Sequence, residues 1–328
     1  MNKLKFLDEL YKNDRMKQCD QEELAKRTGL GISIIKNIES GRKKVSPTHE
    51  QFVLMCEAVG LDPNKYFEKD TKVITFLSNK GGSAKTSACI GVSYSLATKY
   101  NKKCLIIDSD LQLNLTQTFG MIPDDNKNFY KAFITKDDDI RNHIRPTAYE
   151  NIDIVTSHED MSVMEDAIAT VKFKEYKMTE LLKGVKESSE YDFILIDCNP
   201  SLGGVNISCL MATDGLIIPV IPSTFGEKGL AIMANTFKTI KEKANNLNLL
   251  GVLLNRIDGR KKAKYIVQNV KENFGKESVI FKTSIPEDSN VDHSQRDYEP
   301  LGYAYPTTRA AIAFDELCEE VIERASKI

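Results

Sequence analysis

The segment at residues 78–87, SNKGGSAKTS, contains the residue types that bind phosphate. A phosphate-binding loop of the pattern G-x-x-x-x-G-K-[ST] needs glycines, a lysine near its end and a hydroxyl after that lysine. Lys85 and Thr86 supply this end, whereas Ala84 stands where the last glycine is expected. Lys80 is a second cation that the simple pattern does not require. The segment therefore predicts a phosphate site with one lysine more than the pattern explains.

The loop lies between a strand-like segment and a helix-like segment. The residues before it, KVITFL, are apolar and β-branched, and those after it, TSACIGVSYSLATKY, have helical spacing. A phosphate-binding loop needs this order, because backbone N–H groups and the helix N-terminus then face the phosphates. Lys85 would reach the β- and γ-phosphate oxygens, and the Thr86 hydroxyl would ligand Mg²⁺. The alternative is a glycine turn with a structural role only.

Acidic residues close two further apolar strands. KKCLIIDSD ends in Asp108 and Asp110, and YDFILID ends in Asp197. A carboxylate at the end of a buried strand is costly unless it meets a cation, and Mg²⁺ held near phosphates is the obvious one. Asp197 is therefore predicted to be the second magnesium ligand beside Thr86, acting through water.

The order of the segments predicts the fold. Two more strand-like runs follow, GLIIPVIP and LLGVLLNRID, and the strands alternate with helical stretches. This alternation predicts an α/β fold with a mostly parallel sheet and helices on both faces. Ligands bind at the carboxyl ends of such strands, where the glycine loop, Asp110 and Asp197 all fall.

Composition limits the remaining possibilities. A chain of 328 residues is long enough for about two domains, here expected at 1–68 and 69–328. The net charge of −2 means that any nucleic-acid surface must be a local patch. The seven cysteines are scattered without a C-x-x-C pair, which argues against a zinc site or a disulfide framework. This cysteine pattern fits a reducing cytosol, so a cytoplasmic protein is expected. No apolar run approaches the ~18 residues of a membrane span.

Residues 1–68 have the pattern of a small all-α domain. QEELAKRTG and ISIIKNIESG are two short helices joined by a turn at Gly29, and EQFVLMCEAVG is a later one. Residues 9–67 resemble the λ-repressor-like, or XRE, family of helix-turn-helix DNA-binding domains, on QEELA, Gly29-Leu30 and IESGR. The resemblance implies that the second helix lies in the major groove. It places Ile32, Ser33, Lys36 and Asn37 at the bases, and Gln21, Arg42, Lys43 and Lys44 near phosphates.

This segment departs from the helix-turn-helix pattern in two ways. Gly31 replaces the usual serine or threonine helix cap, and Ile32 and Ile34 stand where polar residues are commoner. Isoleucine can contact a thymine methyl but cannot make a bidentate contact with a base. The alternative is a helical module that serves dimerisation or partner binding.

The rest of the chain resembles the ParA/MinD family of deviant Walker ATPases, over about residues 72–324. The family loop KGG-x-x-K-[ST] is matched at residues 80–86, and YDFILID at 191–197 matches its Walker B region. A second motif, D-x-D-P-Q-x-N-x-[ST], is matched at Asp108, Asp110, Gln112, Asn114 and Thr116. The ParA branch fits better than the MinD branch, because the C-terminal DELCEEVIERAS is acidic and anionic lipid would repel it.

The resemblance implies roles for individual residues in a P-loop NTPase fold that binds ATP and Mg²⁺. Lys80 would cross a dimer interface to the phosphates of the partner's nucleotide, and Asp110 would position the attacking water. Asn255 would contact the adenine, and Pro286-Glu287-Asp288 would flank the base. The nucleotide-binding set would be Gly81, Gly82, Ser83, Ala84, Lys85, Thr86, Ser87, Asn255, Pro286 and Asp288, with Lys80, Lys85 and Asp110 catalytic.

Three departures fall beside the phosphate end of the site. Leu111 replaces the proline of D-P-Q, Leu113 the usual glycine, and Asn199 the first proline after the Walker B strand. They affect the expected rate and conformational coupling more than nucleotide binding.

A second basic segment, RIDGRKKAKY, lies close to the predicted adenine strand. Arg260, Lys261 and Lys262 would hold DNA without sequence preference, as the resemblance implies for ATP-bound dimers. Such binding weakens steeply with salt. The alternative is a solvated loop and helix face.

The two resemblances together imply a plasmid or chromosome partition ATPase. An ATP-dependent homodimer would bind nucleoid DNA, a ParB-like partner would stimulate hydrolysis that is slow without it, and the front domain would repress its own operon. The alternative is a transcriptional regulator for which ATP is a switch and segregation is not the task. A membrane-positioning ATPase is disfavoured by the acidic C-terminus.

Overall fold

The computed structural model describes residues 19–40, 49–60, 70–136, 139–169, 171–221, 226–244, 246–257, 260–275 and 279–328. Within its helices the side chains of 37–40, 49–50, 52–53, 226–228 and 260–265 lie outside this description. The chain divides into two compact units, Met1–Lys69 and Asp70–Ile328.

The first unit contains three described helices, α1 (Gln21–Thr28), α2 (Ile32–Ser40) and α3 (His49–Ala58). The Asp20 side chain caps α1 by accepting a hydrogen bond from the Glu23 N–H at 2.8 Å. Gly29, with φ 68°, ends the helix in the left-handed conformation that favours glycine. The helices enclose a small core of Cys19, Leu24, Ile35, Met55, Cys56 and Val59, against which Ile34 packs.

The second unit is built on one sheet, which has seven strands in the described part of the chain. Their order is β3-β4-β2-β5-β1-β6-β7, and every pair is parallel except β3–β4. The strands are β1 (Lys72–Phe76), β2 (Cys104–Asp108), β3 (Arg145–Pro146), β4 (Ile152–Val155), β5 (Phe193–Asp197), β6 (Gly215–Val220) and β7 (Asn248–Leu254). The predicted α/β fold with a mostly parallel sheet is confirmed, while the short antiparallel edge strand β3 was not predicted.

Helices cover both faces of the sheet. They are α4 (Lys85–Tyr100), α5 (Asn114–Thr118), α6 (Phe129–Ile134), α7 (Met164–Ala169), α8 (Lys177–Ser188), α9 (Gly204–Met211), α10 (Gly226–Lys241), α11 (Arg260–Phe274), α12 (Ser289–Arg296), α13 (Leu301–Ala304) and α14 (Arg309–Ala325). No helix in the described ranges is long and apolar enough to cross a membrane.

Two hydrophobic cores form because neighbouring residues of a strand point to opposite faces. In β2, Leu105 and Ile107 belong to one core, together with residues of α8 and α9. Cys104 and Ile106 belong to the other, together with residues of α4 and α14. The central strands are therefore buried on both sides, and their carboxyl ends and connecting loops carry the polar groups.

Candidate functional site

Three neighbouring strands bring the predicted residues to one edge of the sheet. The strands β1, β5 and β2 lie side by side and run parallel. The glycine loop follows β1, while β2 ends at Asp108 and β5 ends at Asp197. These two aspartates lie directly opposite each other in the strand register. The strand–loop–helix order expected from the sequence is present, and its loop lies at the same carboxyl edge of the sheet as both aspartates.

The glycine loop ends in a residue with left-handed backbone conformation. Ala84 has φ 63° and ψ 37° and immediately precedes α4, which begins at Lys85. This conformation costs a residue with a Cβ atom about 1–2 kcal/mol, whereas glycine adopts it freely. The pattern has glycine at this place for that reason, and Ala84 adopts the same conformation at a cost. Strained backbone of this kind is concentrated at ligand sites.

The two lysines of the loop lie in different surroundings. Lys85 is only 5% exposed and lies close enough to Asp197 to lower the pKa of that carboxyl group. Lys80 is half-buried and lines a small pocket together with Ser78 and Ser83. The Ser83 hydroxyl oxygen is buried and has no hydrogen-bond partner among the described residues. The two lysines therefore have different burial and different neighbours.

The Asp197 carboxylate is completely buried, and neither of its oxygens has a hydrogen-bond partner in the described chain. Burial raises the pKa of Asp197 well above its ordinary value, and the Asp108 carboxyl group raises it further. The Thr86 hydroxyl and the Lys85 ammonium group lie nearby and lower this pKa in part, without forming a hydrogen bond of good geometry. A buried carboxylate that accepts no hydrogen bond from the described residues is suited to binding a cation.

Asp108 is equally buried but is fully hydrogen-bonded. One of its oxygens accepts from the Thr116 N–H at 2.9 Å and the Thr116 hydroxyl at 2.7 Å, and the other accepts from the Asp110 N–H at 3.1 Å. Burial raises the pKa of Asp108 to about 6, and the bonds from Thr116 oppose that rise. The sequence motif includes Asp108 without assigning it a role. In the structure it fixes the segment that carries Asp110.

The segment after Asp110 is tightly turned. The Asp110 side chain is buried and accepts a hydrogen bond from the Gln112 N–H at 3.1 Å. Leu113 has φ 59° and precedes α5, so the position where the family has glycine is again left-handed. Leu111 is 43% exposed at the surface of this turn.

A second pocket lies at the other end of the glycine loop. It has a volume of about 160 Å³ and is lined by Ala84, Ser87, Asn255, Arg256, Ile285, Pro286, Glu287, Asp288, Ser289, Val291, Asp292 and Phe314. The predicted adenine residues Asn255, Pro286 and Asp288 therefore surround one cavity that adjoins the loop. The side-chain nitrogen of Asn255 is buried and has no partner among the described residues.

Two of the lining residues are committed to local structure. The Asp288 carboxylate caps α12 by accepting from the Asn290 N–H at 3.0 Å, and its other oxygen accepts from the Ala310 N–H at 3.4 Å. Ser87 accepts a hydrogen bond from the side chain of Gln295 at 3.0 Å. The sequence gives no signal for Gln295, because its partner lies 208 positions away.

The residues predicted to bind DNA are described only in part. Ser33 and Lys36 are exposed on α2, while Gln21 and Ile32 are half-buried. Arg42, Lys43 and Lys44 lie outside the described residues, as do the side chains of Asn37, Arg260, Lys261 and Lys262. The last three begin α11, whose backbone is described.

Known proteins resemble the second unit in sequence and fold. A model of the AAA domain family matches residues 71–249, more than half of the chain. The sporulation initiation inhibitor protein Soj of Bacillus subtilis is 29% identical over 76% of this chain and 98% of its own length. A virulence plasmid ParA family protein of Chlamydia psittaci is 30% identical over 76% of this chain and 94% of its own.

A solved structure gives the same assignment. The septum site-determining protein MinD of Pyrococcus horikoshii, determined with Mg-ADP, has a TM-score of 0.63 and 25% identity over 78% of this chain and 98% of its own. The glycine loop with its two lysines and the two strand-end aspartates lie in the part that these proteins share with the chain. The chain therefore belongs to the ParA/MinD family of P-loop ATPases.

Proposed function

We propose that this protein is a Mg²⁺-dependent ATPase that partitions DNA, most directly a plasmid. The observation that carries the ATPase part is the buried Asp197 carboxylate, which has no hydrogen-bond partner among the described residues and lies beside Thr86 and Lys85 at the glycine loop. A carboxylate, a hydroxyl and a lysine at a phosphate loop fit a nucleotide with a divalent cation. The partition part is supported by relatives such as the Chlamydia psittaci plasmid protein.

The residues of the loop divide the work of nucleotide binding. The N-terminus of α4 and the backbone of residues 81–87 would hold the phosphates, and Lys85 would balance their charge. Thr86 and Asp197 would hold Mg²⁺, which neutralises charge on the phosphate oxygens when bound. The pocket around Asn255 would take the adenine, since the unpartnered amide nitrogen of Asn255 can donate to a ring nitrogen.

Hydrolysis would require the homodimer. Asp110 is held in a fixed turn by Asp108 and would position the attacking water. Lys80 is half-buried at the start of the loop and would reach the phosphates of the partner subunit's nucleotide, as a cation supplied in trans does in other phosphoryl-transfer enzymes. A ParB-like partner would stimulate a turnover that is otherwise slow.

DNA would be bound by two surfaces. The basic start of α11, at residues 260–262, would hold nucleoid DNA without sequence preference. The exposed face of α2, with Ser33 and Lys36, would read operator DNA and repress the protein's own operon. The protein would thus be cytoplasmic and associated with the nucleoid.

The ATPase proposal is tested with Lys85→Ala. We expect this variant to lose ATP-dependent dimerisation, because Lys85 supplies the charge that faces the phosphates. Light scattering with ATP and Mg²⁺ measures the dimer, and Lys99→Ala is the matched control, since Lys99 is exposed near the far end of the same helix. Normal dimerisation of Lys85→Ala would remove the proposal.

Lys80→Ala tests whether Lys80 has a different role from Lys85. We expect it to impair hydrolysis and dimer stability more than nucleotide binding by the monomer, because its target is the partner subunit's nucleotide. Unchanged turnover in Lys80→Ala would show that the role in trans is wrong.

A second candidate function is transcriptional regulation switched by ATP. It is favoured by the relative Soj, which is described as an inhibitor of sporulation initiation. Deletion of the gene from its host replicon decides between the two functions. Loss of the replicon on cell division supports partition, whereas stable inheritance with altered transcription supports regulation.

A further inference from the structure

The connection after Asp197 is held by a buried asparagine of the next helix. Asn206 lies in the first turn of α9 and is completely buried. Its side-chain nitrogen donates to the Asn199 carbonyl oxygen at 2.9 Å, to the Asn199 side-chain oxygen at 2.9 Å and to the Ser201 carbonyl oxygen at 2.7 Å. The Asn199 side-chain oxygen also accepts from the Ser201 N–H at 3.0 Å. One amide group thus organises most of the turn.

Hydrogen bonding at Asn206 is unevenly matched. An amide nitrogen carries two N–H groups, so three acceptors share two donors. The side-chain oxygen of Asn206, in contrast, is buried and has no partner among the described residues. A buried acceptor left in this state costs about 1–3 kcal/mol. The arrangement is therefore not what stability alone would favour.

The turn begins two residues after Asp197. The backbone of Asp197 lies between β2 and β1 in the sheet, and its carbonyl oxygen accepts from the Ser109 hydroxyl at 2.8 Å. Its carboxylate oxygens have no hydrogen-bond partner among the described residues. The chain that leaves Asp197 toward α9 is a further constraint on this residue, and the asparagine pair holds that chain.

The other end of this connection is anchored independently. Glu165 accepts hydrogen bonds from the Gly204 N–H at 2.9 Å and the Val205 N–H at 3.4 Å, and so caps the start of α9. The start of the helix is therefore fixed, and Asn206 holds the turn from it. Asn199 stands where the related pattern has proline, which has no side-chain acceptor and could not form the side-chain bond to Asn206.

We propose that Asn206 is a positioning residue that, through Asn199, sets the direction of the Asp197 carboxylate toward Mg²⁺. The inference rests on the proposed ATPase function. Groups that orient a metal ligand typically change metal affinity or activity by about 10- to 100-fold when they are removed. Removing the pair should therefore act on the Mg²⁺ requirement and leave the adenine pocket unaffected.

The test measures ATP turnover as a function of Mg²⁺ concentration, together with the affinity for ATP in the absence of Mg²⁺. For Asn206→Ala we expect the Mg²⁺ concentration at half-maximal turnover to rise about tenfold, with metal-free ATP affinity within about twofold of the wild type. Asn199→Ala should shift it in the same direction by a smaller factor, because two backbone acceptors remain.

Ser208→Ala is the matched control. Ser208 is buried in the same helix and accepts a hydrogen bond from the Met178 N–H at 2.9 Å, away from the turn. A wild-type Mg²⁺ requirement in Asn206→Ala, or an equal shift in Ser208→Ala, would overturn the inference. If Asn206→Ala does not fold, the direction of the shift in Asn199→Ala decides alone. Absence of Mg²⁺-dependent turnover in the wild type would overturn the ATPase proposal as well, so the two failures are distinguishable.

Discussion

Asp108 and Asp197 end neighbouring strands, lie opposite each other in register and are both completely buried. The carboxylate of Asp108 accepts three hydrogen bonds from Thr116 and Asp110, whereas that of Asp197 accepts none among the described residues. Burial raises the pKa of both groups, to about 6 for Asp108. The same residue type in nearly the same place thus has two different electrostatic environments.

The difference separates a structural carboxylate from a binding one. Both oxygens of Asp108 accept hydrogen bonds from the segment 110–116, so this carboxylate needs no ligand. The oxygens of Asp197 remain available to a bound cation, and in the folded, ligand-free chain this buried carboxylate is destabilising. Function is therefore expected to depend on Asp197, and the order of the neighbouring turn on Asp108.

The largest expected effect is stabilisation of the ligand-free protein by Asp197→Asn. Removing a buried charge that accepts no hydrogen bond from the described residues should raise the free energy of unfolding at pH 8 by about 3 kcal/mol. Because the folded pKa of Asp197 is raised, the cost in the wild type is full above that pKa and disappears as the pH falls below the ordinary value of 3.8. The gain in Asp197→Asn should shrink in the same direction, which urea unfolding at several pH values measures.

A gain that is independent of pH would mean that charge burial is not its cause. A loss of stability at pH 8 would mean that Asp197 is structural, and the comparison with Asp108 would not hold.

The two threonines near these aspartates give the next largest effect. Thr116→Val removes the hydroxyl that donates to Asp108 and accepts from the Ser157 N–H at 3.0 Å. Since both partners are buried, we expect a loss of about 1–3 kcal/mol in the free energy of unfolding. Thr86→Val is the matched control, because Thr86 has no such bond to Asp197. Its ligand-free stability should stay within about 0.5 kcal/mol of the wild type. Equal losses in the two variants would contradict the assignment of roles.

The smallest effect concerns the backbone beside Asp110. Leu113 has φ 59°, so Leu113→Gly should relieve strain and raise the free energy of unfolding by about 0.5–1 kcal/mol. Leu111→Gly is the control, because Leu111 is exposed and does not have positive φ. Thermal unfolding of the two variants measures the difference. A destabilised Leu113→Gly would show that packing of the leucine side chain outweighs the strain.

Much of the fold and part of the site could be predicted because their signals are local in sequence. The glycine loop lies between its strand and its helix, and Asp197 closes a run of apolar residues, so each can be recognised within about ten positions. The edge strand β3 has only two residues, Arg145 and Pro146, and is defined by its pairing with β4 rather than by its own pattern.

The features that the sequence did not reveal depend on conformation or on distant contacts. Ala84 and Leu113 have left-handed backbone conformation because of the turns around them. Alanine and leucine normally avoid this conformation, so the sequence gives no signal for it. Asp108 and Asp197 differ in hydrogen bonding because Thr116 donates to Asp108. Thr116 lies eight positions after Asp108, and the turn between them brings its hydroxyl back to the carboxylate. The Asn199–Asn206 pair likewise requires the fold that brings α9 against the strand end.

The central claim is that Asp197 is left open for Mg²⁺ beside the phosphate loop. Its most direct test is the affinity for ATP with and without Mg²⁺ in the wild type and in Asp197→Asn, with Thr116→Val as the control. We predict that Mg²⁺ tightens ATP binding at least about tenfold in the wild type and in the control, and that Asp197→Asn loses this effect. If Mg²⁺ tightens ATP binding in Asp197→Asn as much as in the wild type, the claim is contradicted.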